Sequence, residues 1–221
     1  MAESKAAIII DDIGYGIKEI DYLKGIDFPL TTAIYPGYKY STRLAKQSHK
    51  HGFEVFIHMP MEAIGGNNPG VNAIYVKMSD YEIINILKKN IKSVPYAVGI
   101  NNHMGSKVTQ DIRCMGVILS FLKQRGMIFV DSLVINNSVG REVANNIGLS
   151  FLARDVFLDN KDDFDYIKGQ LEKLMELALK NGSAIGIGHV DREHTKDAIN
   201  YMIPIMKEKG IKFCYASEVV K

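Results

Sequence analysis

The chain of 221 residues contains no tryptophan, two cysteines and six prolines. Two distant cysteines, Cys114 and Cys214, indicate neither a disulfide framework nor a cysteine-based zinc cluster. The formal net charge of +2 argues neither for nor against a nucleic-acid partner. The lysines are dispersed rather than clustered, and we expect no nucleic-acid partner. Since no apolar run approaches the length of a bilayer crossing, we also expect no membrane span.

The chain also lacks an internal linker, because no stretch rich in proline, serine or glycine divides it and no repeat stands out. Its length is enough for one sizeable core. We therefore predict one domain over residues 1–221. The composition leaves the oligomeric state open.

Apolar runs alternate with amphipathic segments along the whole sequence. The predicted strands cover residues 7–10, 31–35, 53–57, 97–100, 127–130, 149–153 and 184–188, with a short eighth at 212–215. The predicted helices between them include one opened by Ser79 and Glu82, which form a capping-box pattern, and one capped by Thr109. Such alternation predicts a parallel sheet covered by helices. The count and length fit a distorted (β/α) barrel of seven to eight mostly parallel strands, with a doubly wound open sheet as the alternative.

Polar side chains follow most of these strands directly. The first strand runs into two adjacent carboxylates, and later strands end on further polar groups; together these residues are Asp11, Asp12, His58, Asn102, His103, Asp131, Arg154, Asp155 and His189. Because parallel strands present their carboxyl ends at one rim, we expect these side chains to lie together. Two adjacent carboxylates repel each other in a dry site, and a metal ion removes that cost. Mixed carboxylate and imidazole ligands make zinc the first expectation.

Each of these residues also has a structural alternative. One aspartate of the first pair, as well as Asp131 and Asp155, could cap the helix that follows it. Arg154 could pair with a neighbouring carboxylate. A single histidine at a strand end is often an ordinary hydrogen-bonded residue.

Six segments closely resemble the divergent polysaccharide deacetylase family, and the match runs from about Ala6 to the C-terminus. They are Ile10–Gly14, Glu54–Glu62, Val98–Ser106, Phe129–Ser132, Arg154–Asp159 and Ile185–His189. The strings His-Met-Pro-Met-Glu, Asn-Asn-His-Met-Gly-Ser and Arg-Asp-Val-Phe-Leu-Asp are the specific ones. That family is similar to the NodB-type carbohydrate esterases, which use a distorted β/α barrel and a divalent metal, usually zinc.

The resemblance implies roles for individual residues. Asp11 corresponds to the general base, Asp12 to a metal ligand and His189 to the general acid. His58 matches the first histidine of a His-xxx-His metal motif. Glu62 stands where the second histidine would be, so His103 is the natural replacement ligand. The arginine that orients the catalytic aspartate in NodB-type enzymes has no motif-level match here, and we take Arg154 as the candidate for it, with Asp155 as a further catalytic residue. We expect substrate contacts at Glu62, Asn102, Ser106 and Asp131.

The activity implied is metal-assisted removal of acetyl groups from an N- or O-acetylated glycan, with N-deacetylation favoured. The alternative is a protein that keeps the barrel but only binds glycan or a cell-envelope partner. A magnesium-dependent phosphoacceptor domain is set aside because the third strand ends in His58 rather than an acceptor aspartate. We expect an extracytoplasmic location, with the export signal absent from this sequence.

Overall fold

A computed structural model describes residues 3–219. The remaining residues of the predicted domain, Met1, Ala2, Val220 and Lys221, lie outside the described part. The strands are β1 (Ser4–Ile13), β2 (Thr31–Ile34), β3 (Glu54–Met61), β4 (Ala97–Met104), β5 (Ile128–Asp131), β6 (Phe151–Ala153), β7 (Val156–Phe157), β8 (Ser183–His189) and β9 (Ile211–Phe213). The helices are α1 (Glu19–Tyr22), α2 (Ser41–Lys50), α3 (Asp80–Ser93), α4 (Ile112–Lys123), α5 (Gly140–Ile147), α6 (Phe164–Asn181) and α7 (Thr195–Glu208), with 3₁₀ turns at Val108–Gln110 and Ala216–Val219.

The sheet is parallel and runs in the order β6-β5-β4-β3-β2-β1-β8-β7, with β9 added beside the start of β1. Its two edge strands, β6 and β7, are joined by only two residues, Arg154 and Asp155. Three steps of about 3.8 Å cannot cross a flat eight-stranded sheet, so the sheet must curl until its edges meet. The result is the expected distorted (β/α) barrel, open along a seam between β6 and β7, and not an open doubly wound sheet.

The strands bury both faces, as parallel strands in α/β proteins do. The outer face carries the larger core, where residues such as Ile8, Ile10 and Ile57 pack under the helices. The inner face carries a small cluster built from the alternate residues, Ala7, Ile9, Ala33, Phe56, Val130, Ile185 and Ile187, together with Cys214, Ala216 and Val219. Since Ala216 and Val219 follow β9, which pairs with the first residues of β1, they close the amino end of the barrel. The interior is thus closed at that end, where the Thr31 hydroxyl donates to Glu54 Oε2 at 2.9 Å and accepts the backbone N–H of Ala216 at 3.0 Å, and its open end is the carboxyl end.

Of the two helix starts predicted from the sequence, one is found as expected and one is shifted. The Ser79–Glu82 capping box opens α3 as predicted. The cap of α4, however, is Asp111, whose side chain accepts a hydrogen bond from the backbone N–H of Cys114 at 2.8 Å. Thr109 lies in the preceding 3₁₀ turn and donates its hydroxyl proton to the carbonyl of Gly105. Among residues 3–219, no helix is both long and apolar enough to cross a membrane.

Candidate metal and catalytic site

Asp11 and Asp12 both reach the interior because β1 is irregular at its end. In a regular strand, neighbouring side chains point to opposite faces. Asp11 continues the inward row of Ile9, while the pairing of β1 with β2 slips between Ile10 and Ile13. Within that bulge Asp12 has a positive φ of 64°. A left-handed backbone conformation is uncommon for aspartate. Here it turns the side chain of Asp12, which a regular strand would direct toward the helices, into the cavity.

Three donor atoms form a small triangle at the cavity floor. His58 Nε2 lies 3.1 Å from Asp12 Oδ1 and 3.1 Å from His103 Nδ1, and His103 Nδ1 lies 3.5 Å from Asp12 Oδ1. Tetrahedral zinc with bonds of about 2.0–2.2 Å places neighbouring ligand atoms about 3.3–3.6 Å apart. The chemistry and spacing of Asp12, His58 and His103 therefore suit one tetrahedral ion with a position left for water.

Asn101 orients two of the central side chains at once. It is the register partner of His58, and its Oδ1 lies 3.0 Å from His58 Nδ1. Because an amide oxygen only accepts, His58 must carry its proton on Nδ1, which leaves Nε2 free for a metal. The amide nitrogen of Asn101 donates to Asp11 Oδ1 at 2.7 Å. One neutral side chain thus sets the tautomer of a candidate ligand and the orientation of the candidate base.

Asp12 is held as an anion by its neighbours. Burial disfavours its charge, but hydrogen bonds from His103, His58 and Tyr35 together hold the pKa of Asp12 far below its usual range. The Tyr35 hydroxyl donates to Asp12 Oδ1 at 2.6 Å and lies 2.8 Å from His103 Nδ1. Burial, followed by the charge of Asp12, raises the pKa of Tyr35, so this hydroxyl keeps its proton. Asp12 is therefore available as an anionic ligand at any ordinary pH.

Without a metal, His58 carries the compensating positive charge. Burial opposes its protonation, but Asp11 and Asp12 outweigh burial and raise the pKa of His58 to about 9. Asp11 is only 2% exposed, and burial raises its pKa despite the nearby positive charge of His58. His103 behaves differently, because burial lowers its pKa. A metal that binds at this site must displace the proton on His58 Nε2.

His189 faces Asp11 directly across the pairing of β1 and β8. Its Nδ1 donates to Asp159 Oδ1 at 2.7 Å, while Asp159 Oδ2 accepts the backbone N–H of His189 and the hydroxyl of Thr195, each at 2.7 Å. Burial works against the charged imidazole, yet the hydrogen bond and charge of Asp159 give His189 a net raised pKa. The ring stacks on Phe157 with centroids 5.2 Å apart. Its other nitrogen, Nε2, is the one that Asp159 does not engage.

The structure does not bring Asn102 or Asp131 to the cavity. Both are buried on the helix side of their strands. Asn102 donates to the carbonyl of Met104 at 2.7 Å, and Asp131 accepts the backbone N–H of Leu133 at 2.8 Å. Met104 and Leu133 have positive φ values of 53° and 45°. The two polar side chains therefore stabilise strained turns that follow β4 and β5, which is a supporting role rather than a cap or a ligand contact.

Glu62 and Ser106 lie in the loops above the rim, away from the triangle. Glu62 binds Lys107 Nζ at 2.6 Å and the backbone N–H of Val76 at 2.8 Å. The ion pair with Lys107 is the main reason that the pKa of Glu62 is lowered. Ser106 Oγ accepts the backbone N–H of Ile64 at 2.9 Å. Both side chains anchor the segment after β3.

Arg154 and Asp155 lie at the barrel seam. Arg154 donates to the carbonyls of Ser132 and Leu133 at 2.7 and 3.0 Å, so it neither pairs with a carboxylate nor orients Asp11. Asp155 accepts the backbone N–H of Ile185 at 2.8 Å and caps no helix. Since Ile185 is the register partner of Ala7, this contact lies four residues, or about 13 Å, along the barrel from Asp11.

Three residues of the site were not singled out from the sequence: Tyr35, Asn101 and Asp159. Tyr35 was only the end of a predicted strand, although the period of two from Ala33 places it on the inner face. Asn101 and Asp159 belong to segments that carry the family resemblance, but nothing in their spacing distinguishes them. Asp159 follows β7, which at two residues is too short to give a strand signal.

The polar groups of the site meet at the carboxyl rim of one curled parallel barrel, which is the architecture that the sequence resemblance implies. The divergent polysaccharide deacetylase model matches residues 8–220, and the chain belongs to that family. It is 35% identical over 185 residues to an uncharacterized protein, YibQ, of Escherichia coli (strain K12), which covers 84% of this chain. It is 32% identical over 188 residues to an uncharacterized protein of Haemophilus influenzae, which covers 85% of this chain. The chain spans 58% and 67% of the lengths of these two relatives.

Solved structures show the same fold. An uncharacterized protein from Agrobacterium tumefaciens C58 superposes with a TM-score of 0.93 at 21% identity, covering 100% of this chain and 90% of its own. The catalytic domain of a peptidoglycan N-acetylglucosamine deacetylase from Eubacterium rectale gives 0.55 at 12% identity, with 99% and 91% covered. A CE4 family pseudoenzyme from Bacillus anthracis gives 0.59 at 15% identity, with 99% and 66% covered. At such identities the likeness is one of fold.

Proposed function

We propose that this protein is a metal-dependent hydrolase that removes acetyl groups from a glycan, with N-acetyl groups as the first substrate class. The observation that supports this most is the donor triangle of Asp12, His58 and His103. It lies between a buried carboxylate, Asp11, and the imidazole of His189, which is paired with Asp159. A purely structural metal would need neither a free base nor a free acid beside it.

A bound divalent ion would supply Lewis acidity that polarises the acetyl carbonyl and lowers the pKa of a water molecule. Asp11, oriented by Asn101, accepts the proton of the attacking water. The water oxygen bonds to the acyl carbon, the carbon–nitrogen bond breaks, and His189 gives its Nε2 proton to the departing amine. Asp159 stabilises His189 in the protonated state needed for that step.

The second candidate function is glycan binding without catalysis. Glu62, which departs from the NodB-type metal motif, and the pseudoenzyme among the structural neighbours both raise it. Glu62, however, is occupied by Lys107, and His103 provides an imidazole at the triangle instead. The geometry therefore favours hydrolysis.

The test is acetate release from N-acetylated chitooligosaccharides and from peptidoglycan fragments, with zinc-loaded and chelator-treated protein. We expect turnover only with metal. Asp11→Asn should lower it by roughly two to four orders of magnitude, the usual size of a general-base contribution, while zinc content stays the same. Glycan binding with no acetate release in any metal form would favour the non-catalytic alternative. Loss of zinc in Asp11→Asn would instead show that the roles of Asp11 and Asp12 are reversed.

A further inference from the structure

Three tyrosines form a contiguous group beside the candidate metal site. The ring centroids of Tyr15 and Tyr35 are 5.2 Å apart, those of Tyr15 and Tyr38 are 4.8 Å apart, and those of Tyr35 and Tyr38 are 5.6 Å apart, all edge to face. Tyr35 is buried and bonds to Asp12, whereas Tyr15 is 59% exposed. The group, which we name the tyrosine cluster (Tyr15, Tyr35, Tyr38), therefore reaches from a candidate metal ligand to the surface.

The loop that carries the exposed ring of Tyr15 is fixed by hydrogen bonds to the side chain of Glu19. The two oxygens of Glu19 accept the backbone N–H groups on either side of Tyr15, at 2.6 Å from Gly14 and 2.5 Å from Gly16. At Gly14, a Cβ atom would lie 2.8 Å from Tyr35 Cβ, so only glycine lets this loop pack on Tyr35. The half-buried carboxylate of Glu19 thus fixes the backbone on both sides of Tyr15, whose ring is itself largely exposed to solvent. Packing alone gives no reason to fix such a ring.

We infer that Tyr15 and Tyr38 form a binding platform for a pyranose ring of the glycan, adjacent to the residue being deacetylated. Aromatic faces offer apolar area at little conformational cost, which suits the C–H face of a sugar. The two phenol oxygens lie 3.3 Å apart and can donate to and accept from the sugar hydroxyls at the ring edge. This inference rests on the proposed function, because it takes the glycan to be the ligand of the neighbouring site.

A protein partner fits the cluster less well. Among the described residues of the two loops that carry it, 14–17 and 36–40, the exposed large apolar side chain is Tyr15, and Val71 is a further one, with its Cγ1 3.6 Å from the position of a Cβ atom on Gly37. Specific protein interfaces bury about 800 Å² on each side, far more than one ring and one valine provide. A single sugar ring matches the size of this surface.

The experiment measures binding of two probes, a β-1,4-linked N-acetylglucosamine tetramer and a peptidoglycan tetrasaccharide, by calorimetry on zinc-loaded protein. Tyr15→Ala should weaken binding roughly tenfold, equivalent to about 1.4 kcal/mol, as the loss of one stacked aromatic face implies. Tyr15→Phe keeps the ring and should stay within about threefold of the native protein. Glu19→Ala should also weaken binding, although Glu19 itself does not contact the glycan, because the loop that positions Tyr15 becomes flexible.

Tyr201→Ala is the matched control. Tyr201 is similarly exposed, at 51%, but lies on α7 and packs on Phe164, so this variant should bind as the native protein does. Equal affinity of Tyr15→Ala and native protein overturns the platform, as does failure of the native protein to bind either probe. If Tyr15→Ala weakens binding but the native protein releases no acetate, the platform stands and the proposed hydrolysis fails.

Discussion

Replacing Asp159 by asparagine should lower the pKa of His189, so that the imidazole is less readily protonated, while the fold stays intact. Asp159 is fully buried, and its carboxylate accepts three hydrogen bonds, two of them from His189. An asparagine of the same shape can keep its oxygen toward the His189 backbone N–H and the Thr195 hydroxyl. Its NH₂ group then faces Nδ1 of His189, which must become an acceptor. The variant thus favours the tautomer that has its proton on Nε2 and disfavours the imidazolium.

The size of this effect follows from the bond that is lost. A hydrogen bond to a charged group contributes about 1.5–3 kcal/mol, and one pH unit corresponds to about 1.4 kcal/mol. Asp159→Asn should therefore move the alkaline limb of the turnover profile down by roughly one to two pH units, since the acid must be protonated to act. The pKa of His189, measured by NMR titration of its Cε1–H resonance, should fall by the same amount.

The pH dependence of the free energy of unfolding measures the same interaction independently. His189 has a folded-state pKa above its ordinary value of 6.5. It therefore contributes stability that is fully present below pH 6.5 and is lost as pH rises through the folded-state pKa. The stability gap between native protein and Asp159→Asn should be widest in mild acid and narrow as pH rises. Thr195→Val, which removes a neutral donor but leaves the carboxylate, is the control. An unchanged His189 titration in Asp159→Asn would refute the coupling.

Two further predictions concern the metal. His58→Ala and His103→Ala should each lose most bound zinc, measured by elemental analysis, while the fold persists because a rim site contributes little core. His58→Ala should also lower the midpoint of thermal unfolding, because it removes the positive charge that compensates Asp11 and Asp12. Full zinc stoichiometry in the double variant would show that the ligands are wrongly assigned. Zinc affinity should fall as pH drops below about 9, because the metal competes with the proton on His58, and calorimetry in buffers of different ionisation enthalpy should detect proton release. A pH-independent affinity with no proton release would contradict the protonated state assigned to His58.

The strand ends could be predicted from sequence because the signal is chemical as well as periodic. Apolar runs that stop at Asp11, His58 and His189 locate the carboxyl rim of a parallel sheet, and the structure places these three side chains there. The inner and outer faces were harder to separate. Asn102 and Asp131 also follow predicted apolar runs, and they lie within β4 and at the end of β5, but the period of two directs them toward the helices. An assignment by strand end alone therefore overestimates the site.

What the sequence could not show depends on backbone irregularity and long-range contact. No propensity predicts that Asp12 sits in a bulge with a left-handed backbone, yet only this lets two adjacent aspartates share a cavity. Likewise, β7 is ordered by its pairing with β8 and not by its own two residues, so the position of Asp159 opposite His189 depends on tertiary structure.

The departure at Glu62 is explained by the course of β3, and this leads to a last prediction. β3 stays extended through Met61, so a residue four positions after His58 lies about 13 Å farther along the strand and cannot share a metal with it. His103 lies on the neighbouring strand two residues beyond Asn101, the register partner of His58, so its Cα lies about 8 Å from that of His58.

Restoring the NodB-type His-xxx-His motif in the sequence with Glu62→His should therefore not recover zinc binding in a His103→Ala background. Elemental analysis of the double variant against His103→Ala alone measures this, with Glu62→Gln in the same background as control. Recovery of stoichiometric zinc by Glu62→His would mean that the segment after His58 can leave its extended path, and that the second imidazole of this site is set by the motif rather than by the fold.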